Sequence, residues 1–300
     1  ENNFGIRKRL LEYDDVMNIQ REAIYKKRKN ALYGDRLSVD LNNMFNSLLE
    51  NLVVNHREAG DFETFRRDSL GLLGLDPQMD AIDFKEGNTN EIATRFEQQF
   101  REYYDRKAQH LTELLLPEIR RVHDTQGNQY KRILIPYTDG RANPLPITAD
   151  IARAVETDGK SINRDIEKAV TLALIDEKWK EHLRSMDELK ESVQAASFEQ
   201  KDPLVIYKME AYNLFEQLIF DINENVTSYL AKGTLVFPDG TTLEEAREQR
   251  TDMSKVRTNR SETPDEVRRA SESAGRRRRP KPETFVRQGA KVGRNDPCPC

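Results

Sequence analysis

Two long apolar stripes separated by a hard helix restart constrain this chain more than any other feature. Upstream, Val170, Leu174, Trp179, Leu183, Met186, Leu189 and Val193 keep one side of a helix apolar. Downstream, Val205, Met209, Tyr212, Phe215, Ile219, Ile222, Val226 and Tyr229 do the same in steps of three and four. Between them stands Asp202-Pro203. An Asp at the N-cap accepts orphan backbone N–H groups, and a Pro at the first helical position has no N–H to lose. Gly233 suits the far end of the second helix. Stripes this regular must cover each other or a third helix, so the pattern predicts an antiparallel hairpin over about 161–232. Each arm is on the order of 40–50 Å long. Trp179, the single tryptophan, is expected to anchor one arm on the other. The connection at 194–201 carries Phe198 among the small residues Ala195, Ala196 and Ser197. Its ring is either folded back onto the hairpin or offered to a partner.

The rest of the chain also reads as helical. Phe4, Ile6, Leu10, Tyr13, Met17 and Ile24 recur at helical spacing over 4–33, and Gly34 follows as a left-handed cap. A second helix spans 38–57 around Leu41, Met44, Phe45, Leu48, Leu49 and Leu52. Asp76-Pro77 and Asn88/Thr89 read as further helix starts, and a run from Glu91 should break at Pro117. One passage, 130–147, has β character and reads as a small hairpin or an ordered loop. After Phe237-Pro238-Asp239-Gly240, residues 251–290 hold few apolar anchors to offset the entropy of ordering. The expected class is mostly α: an elongated helical scaffold with the long hairpin, an inserted helical domain with a small β-like insertion, and a disordered tail.

Charge is unevenly spread. Residues 251–300 carry thirteen Lys/Arg against seven Asp/Glu, a surplus of six, so the net −4 of the whole leaves −10 on the first 250. Such a tail is either a solvated linker or a contact for lipid head groups, RNA or an acidic protein. No run approaches the roughly 18 apolar residues of a membrane span, and no signal peptide opens the chain, which leads us to expect a cytosolic protein. A first residue other than Met and a last residue inside a Cys motif suggest a piece of something longer. No phosphate loop or dinucleotide turn is present, and the four histidines are scattered singly. A self-contained enzyme is therefore disfavoured. Cys298 and Cys300, the only cysteines, supply two of the four ligands a structural zinc requires; free thiols or a strained disulfide remain alternatives. A free-standing helical adaptor, docked by its basic tail on RNA or anionic membrane, is the alternative from a different functional class.

Three separated segments resemble the SecA family of protein-export motors. Phe4-Gly5-Ile6-Arg7-Lys8-Arg9-Leu10-Leu11-Glu12-Tyr13-Asp14-Asp15-Val16-Met17-Asn18 is similar to the start of the family's scaffold helix. Ile175-Asp176-Glu177-Lys178-Trp179-Lys180-Glu181-His182-Leu183 and Gln200-Lys201-Asp202-Pro203 resemble the two arms of its two-helix finger. The ending from Gly293 to Cys300 resembles the opening of its zinc-binding motif. The resemblance implies a scaffold helix at 1–36, a helical wing at 37–155 with an insertion near 130–147, a finger at 156–232, a linker at 233–291 and a truncated zinc motif at 292–300. It further implies upstream domains that bind ATP and Mg²⁺, and a finger that contacts unfolded preprotein and the SecYEG channel through Ala196, Ser197 and Phe198. The tail would engage SecB, the ribosome or acidic phospholipid on the cytoplasmic face of a bacterial inner membrane, and a homodimer is left open. Many relatives carry Leu-Arg-Gly-Tyr where this chain has Ala195-Ala196-Ser197-Phe198; the ring is kept, but the cation and the hydroxyl are lost.

Overall fold

The computed structural model describes residues 2–34, 36–126, 130–140, 144–193, 202–236 and 244–245, without side chains for 2–6, 9 and 244–245. All belong to the first of two units, Glu1–Arg247; the second, Glu248–Cys300, lies outside the described residues. In chain order the elements are α1 (Asn2–Tyr33), α2 (Leu37–Ala59), α3 (Phe62–Leu73), α4 (Ala81–Glu86), α5 (Thr89–Gln126), β1 (Arg132–Thr138), β2 (Leu145–Asp150), α6 (Ile151–Glu156), α7 (Lys160–Ser192), α8 (Pro203–Lys232), β3 (Thr234–Leu235) and β4 (Glu244–Glu245). The mostly helical class is as expected.

Local chemistry sets most boundaries. Gly34 ends α1 at φ +77°, a conformation strained for any residue with a Cβ. The Asp202 carboxylate accepts the Leu204 N–H at 2.9 Å, and Pro203 opens α8 behind it, so the restart is where the sequence put it. Two expected boundaries are corrected. Asp76-Pro77 starts no helix: Asp76 is engaged by the Arg66 guanidinium through bonds of 2.7 and 2.8 Å, and Asp80 caps α4 instead. Nor does α5 stop at Pro117. A proline inside a helix costs about 3 kcal/mol, but Leu111, Leu115 and Ile119 are buried on one face around it. Each returns about 1.5–3 kcal/mol, so burial wins.

The β passage is a true hairpin. β1 pairs antiparallel with β2 from Arg132↔Asp150 to Tyr137↔Leu145. The sequence did not foretell the other edge of β1, where β3 pairs at Tyr137 and Thr138 and β4 at Ile133 and Leu134. One continuous core runs from Ile24 of α1 through α2, α5, the hairpin strands and α7 to Leu230 of α8.

Candidate functional site

The arms α7 and α8 lie antiparallel, with Met186 and Val193 near the end of one packed against Tyr207 and Ala211 near the start of the other. Their stripes, however, are only partly the expected ones. Val205, Met209 and Tyr212 are 53 %, 63 % and 61 % exposed, and the buried row of α8 is Tyr207, Ala211, Leu218, Ile222 and Val226. The reason is α1. This third helix covers the hairpin and sets the Tyr13 ring 4.6 Å from that of Tyr207, which draws that side of α8 inward.

At the centre of the three-helix seam sits Gln20, 4 % exposed. Its Nε2 donates to the Ala211 carbonyl of α8 at 2.9 Å, and its Oε1 meets His182 Nε2 of α7 at 2.9 Å. A carbonyl can only accept, so the amide nitrogen must face Ala211. The Gln20 oxygen then requires His182 Nε2 to carry the proton. Burial lowers the His182 pKa, which suits a neutral ring. That ring stacks on Trp179 at 5.4 Å and meets the edge of Phe215 at 6.1 Å. Further along, Arg28 of α1 grips Asp176 of α7 through bonds of 2.8 and 3.1 Å; being part-exposed, the pair contributes under about 1 kcal/mol. One helix thus holds both arms.

A second knot ties the base of α8. The final carbonyls of a helix lack partners along the helix, and Lys107 of α5 supplies them. Its Nζ donates to Leu230 at 2.6 Å and Ala231 at 2.8 Å, and approaches the Tyr137 hydroxyl at 3.3 Å. Tyr137 and Tyr103 donate to the same two carbonyls at 3.3 and 3.1 Å. Burial pushes Lys107 down to about 7 and raises Tyr103, Tyr137 and Tyr229. Gly233 follows at once, and a Cβ there would stand 2.3 Å from the Tyr137 ring, so this position accepts glycine alone.

Among the described residues no group of three or more His, Cys, Asp or Glu could hold a metal ion, and no helix is long and apolar enough to cross a membrane. His182 is packed between Trp179 and Phe215, and His56 pairs with Asp68 at 3.1 Å. Ala196, Ser197 and Phe198, and likewise Cys298 and Cys300, lie outside the described residues. Sequence reasoning missed Gln20, although a polar residue in register with Tyr13, Met17 and Ile24 was a readable signal. It also missed Lys107, whose carbonyl partners on α8 lie more than 120 residues away.

A family model described as the SecA Wing and Scaffold domain matches residues 1–234. The chain is 43 % identical over 301 residues to the protein translocase subunit SecA of Christiangramia forsetii, covering 99 % of this chain and 27 % of that protein. With the protein translocase subunit SecA of Porphyromonas gingivalis it shares 41 % identity over 312 residues, covering 100 % of this chain and 28 % of that one. The chain belongs to the SecA family. It therefore spans little more than a quarter of the length of these SecA relatives. The matched region takes in α1 through α8, so the Gln20 seam and the Lys107 knot both lie inside the SecA wing-and-scaffold portion.

Proposed function

We propose that this chain is the non-catalytic scaffold, wing, finger and linker of a SecA motor, and that it couples ATPase-domain motion to preprotein movement into the SecYEG channel. ATP and Mg²⁺ belong to domains elsewhere in the polypeptide. In this reading 1–36 is the scaffold helix, 37–155 the wing, 156–232 the finger and 233–291 the linker, with the start of a zinc motif at 292–300. The single observation that carries the proposal is the Gln20 seam: because α1 is bonded to both α7 and α8, a displacement of α1 must move the hairpin as a unit. Supporting it, α1 leaves Leu10, Leu11, Ile19, Tyr25, Leu32 and Tyr33 uncovered, an apolar surface suited to further domains.

At the far end of the hairpin Phe198 is the contact residue, with Ala196 and Ser197 beside it. A π face and apolar area hold an unfolded chain without reading its sequence. Cys298 and Cys300 would supply two thiolates to a zinc whose other ligands come from outside this chain. The basic tail is the contact for SecB, the ribosome or acidic phospholipid on the cytoplasmic face of the inner membrane. The test is Phe198→Ala in a full-length motor, assayed in reconstituted vesicles. Transport should fall while basal ATP hydrolysis is largely kept; undiminished transport would remove the assigned role.

A further inference from the structure

Both feet of the hairpin stand on one short stretch of α5. Residues 103–112 of that helix present two neighbouring rows at a spacing of four, and each row serves a different arm. Tyr103 and Lys107 form the first row and hold the end of α8. The Tyr103 hydroxyl donates to the Ala231 carbonyl at 3.1 Å, and Lys107 Nζ donates to Leu230 and Ala231 at 2.6 and 2.8 Å. Tyr104, Ala108 and Thr112 form the second row and hold the start of α7. The Tyr104 hydroxyl donates to the Glu167 carboxylate at 3.1 Å. The Asn163 amide donates to the Ala108 carbonyl at 3.0 Å and to the Thr112 hydroxyl at 2.9 Å. Gly159, the N-cap of α7, lies so close that a Cβ there would overlap the Thr112 side chain.

These fastenings are directional. Apolar contact has no preferred direction and lets one helix slide along another, whereas a hydrogen bond fixes distance and angle to one particular oxygen. The bonds at 103–112 therefore set where each arm stands along its own axis. The Gln20 seam grips the same two arms further out, at His182 and Ala211. Along α8 the seam at Ala211 is about 30 Å from Ala231, and Pro203 is about 42 Å from it. With the base held, a push from α1 at the seam tilts the hairpin and carries the start of α8 about 1.4 times as far. With the base free, the same push slides the arms and the tilt is lost.

We propose that residues 103–112 of α5 are the fulcrum of the hairpin, with Lys107 and Asn163 as the positioning residues that keep both feet seated while α1 displaces the middle. The inference rests on the reading of the hairpin as the moving finger of the motor, and one arm of its test is independent of that reading. In the 300-residue chain carrying Cys298→Ser/Cys300→Ser, spin labels at Gln109→Cys of α5 and Met209→Cys of α8 report the distance from base to outer arm by pulsed electron resonance. Lys107→Met/Asn163→Leu should raise the population outside the parent's main distance by about tenfold or more. Melting curves check that the double variant folds; if it does not, each single substitution is measured by itself. A distance distribution unchanged from the parent overturns the proposal. In the second arm the same substitutions enter a full-length motor in reconstituted vesicles. Preprotein moved per ATP hydrolysed should fall by about twofold or more. A purely stabilising role would lower transport and hydrolysis together and leave their ratio unchanged, and that result also overturns the proposal. Phe198→Ala run in parallel judges the finger reading alone: undiminished transport there removes that reading, while a broadened distance distribution still supports the fastening of both feet on α5.

Discussion

Replacing Lys107 with methionine tests how the hairpin is held at its base. The substitution keeps the aliphatic stem and removes the amine that serves the Leu230 and Ala231 carbonyls. Those oxygens keep their longer bonds from Tyr137 and Tyr103, so the loss should be about 1–3 kcal/mol rather than that of two orphaned acceptors. The pH dependence is more telling. Burial holds Lys107 at about 7 in the folded chain, below its ordinary 10.5. The folded state therefore binds fewer protons than the unfolded state between those values, and stability rises with pH across that window. Integrated from pH 7 to 9, the gain is about 2 kcal/mol. The raised tyrosines act in the opposite direction, but only from near pH 10, outside the range tested. Urea unfolding of the parent chain and Lys107→Met, followed by circular dichroism at several pH values, measures the difference. The deficit of the variant should be small at pH 7 and widen by about 2 kcal/mol by pH 9. A deficit constant across that range would mean that the carbonyls and the helix dipole fully offset burial, and the reasoning would be wrong.

Gly233→Ala places a Cβ 2.3 Å from the Tyr137 ring, and Tyr137 is buried and bonded, so the ring cannot swing clear. A loss of about 1–3 kcal/mol in the same unfolding assay is expected, with the larger values if β3 detaches. Gln20→Leu leaves the buried His182 N–H without an acceptor and should cost about 1–3 kcal/mol. Adding His182→Phe removes the stranded donor, so the double variant should recover part of the loss; a strictly additive result would show that the two side chains are not coupled.

Much of this protein was legible without coordinates because its signals are local. Asp202-Pro203 and Gly34 act on their own neighbouring backbone, and an apolar residue every three or four positions is a property of one helix alone. Matching segments likewise carried the SecA resemblance. The readings that failed all depended on a neighbour distant in sequence. Pro117 stays inside α5 because the core around Leu111, Leu115 and Ile119 outweighs a broken hydrogen bond. Asp76 does not cap a helix because Arg66 takes its carboxylate. The stripe Val205-Met209-Tyr212 was equally plausible as a buried face, and only the presence of α1 against Tyr207 and Ala211 turned it outward. The sequence by itself determined the long helices, the ends set by Gly34 and Asp202-Pro203, and the hairpin. The tertiary structure alone decided which face each helix buries and that Gln20 and Lys107 are the fastenings, because a buried polar group is defined by partners that chain order does not reveal.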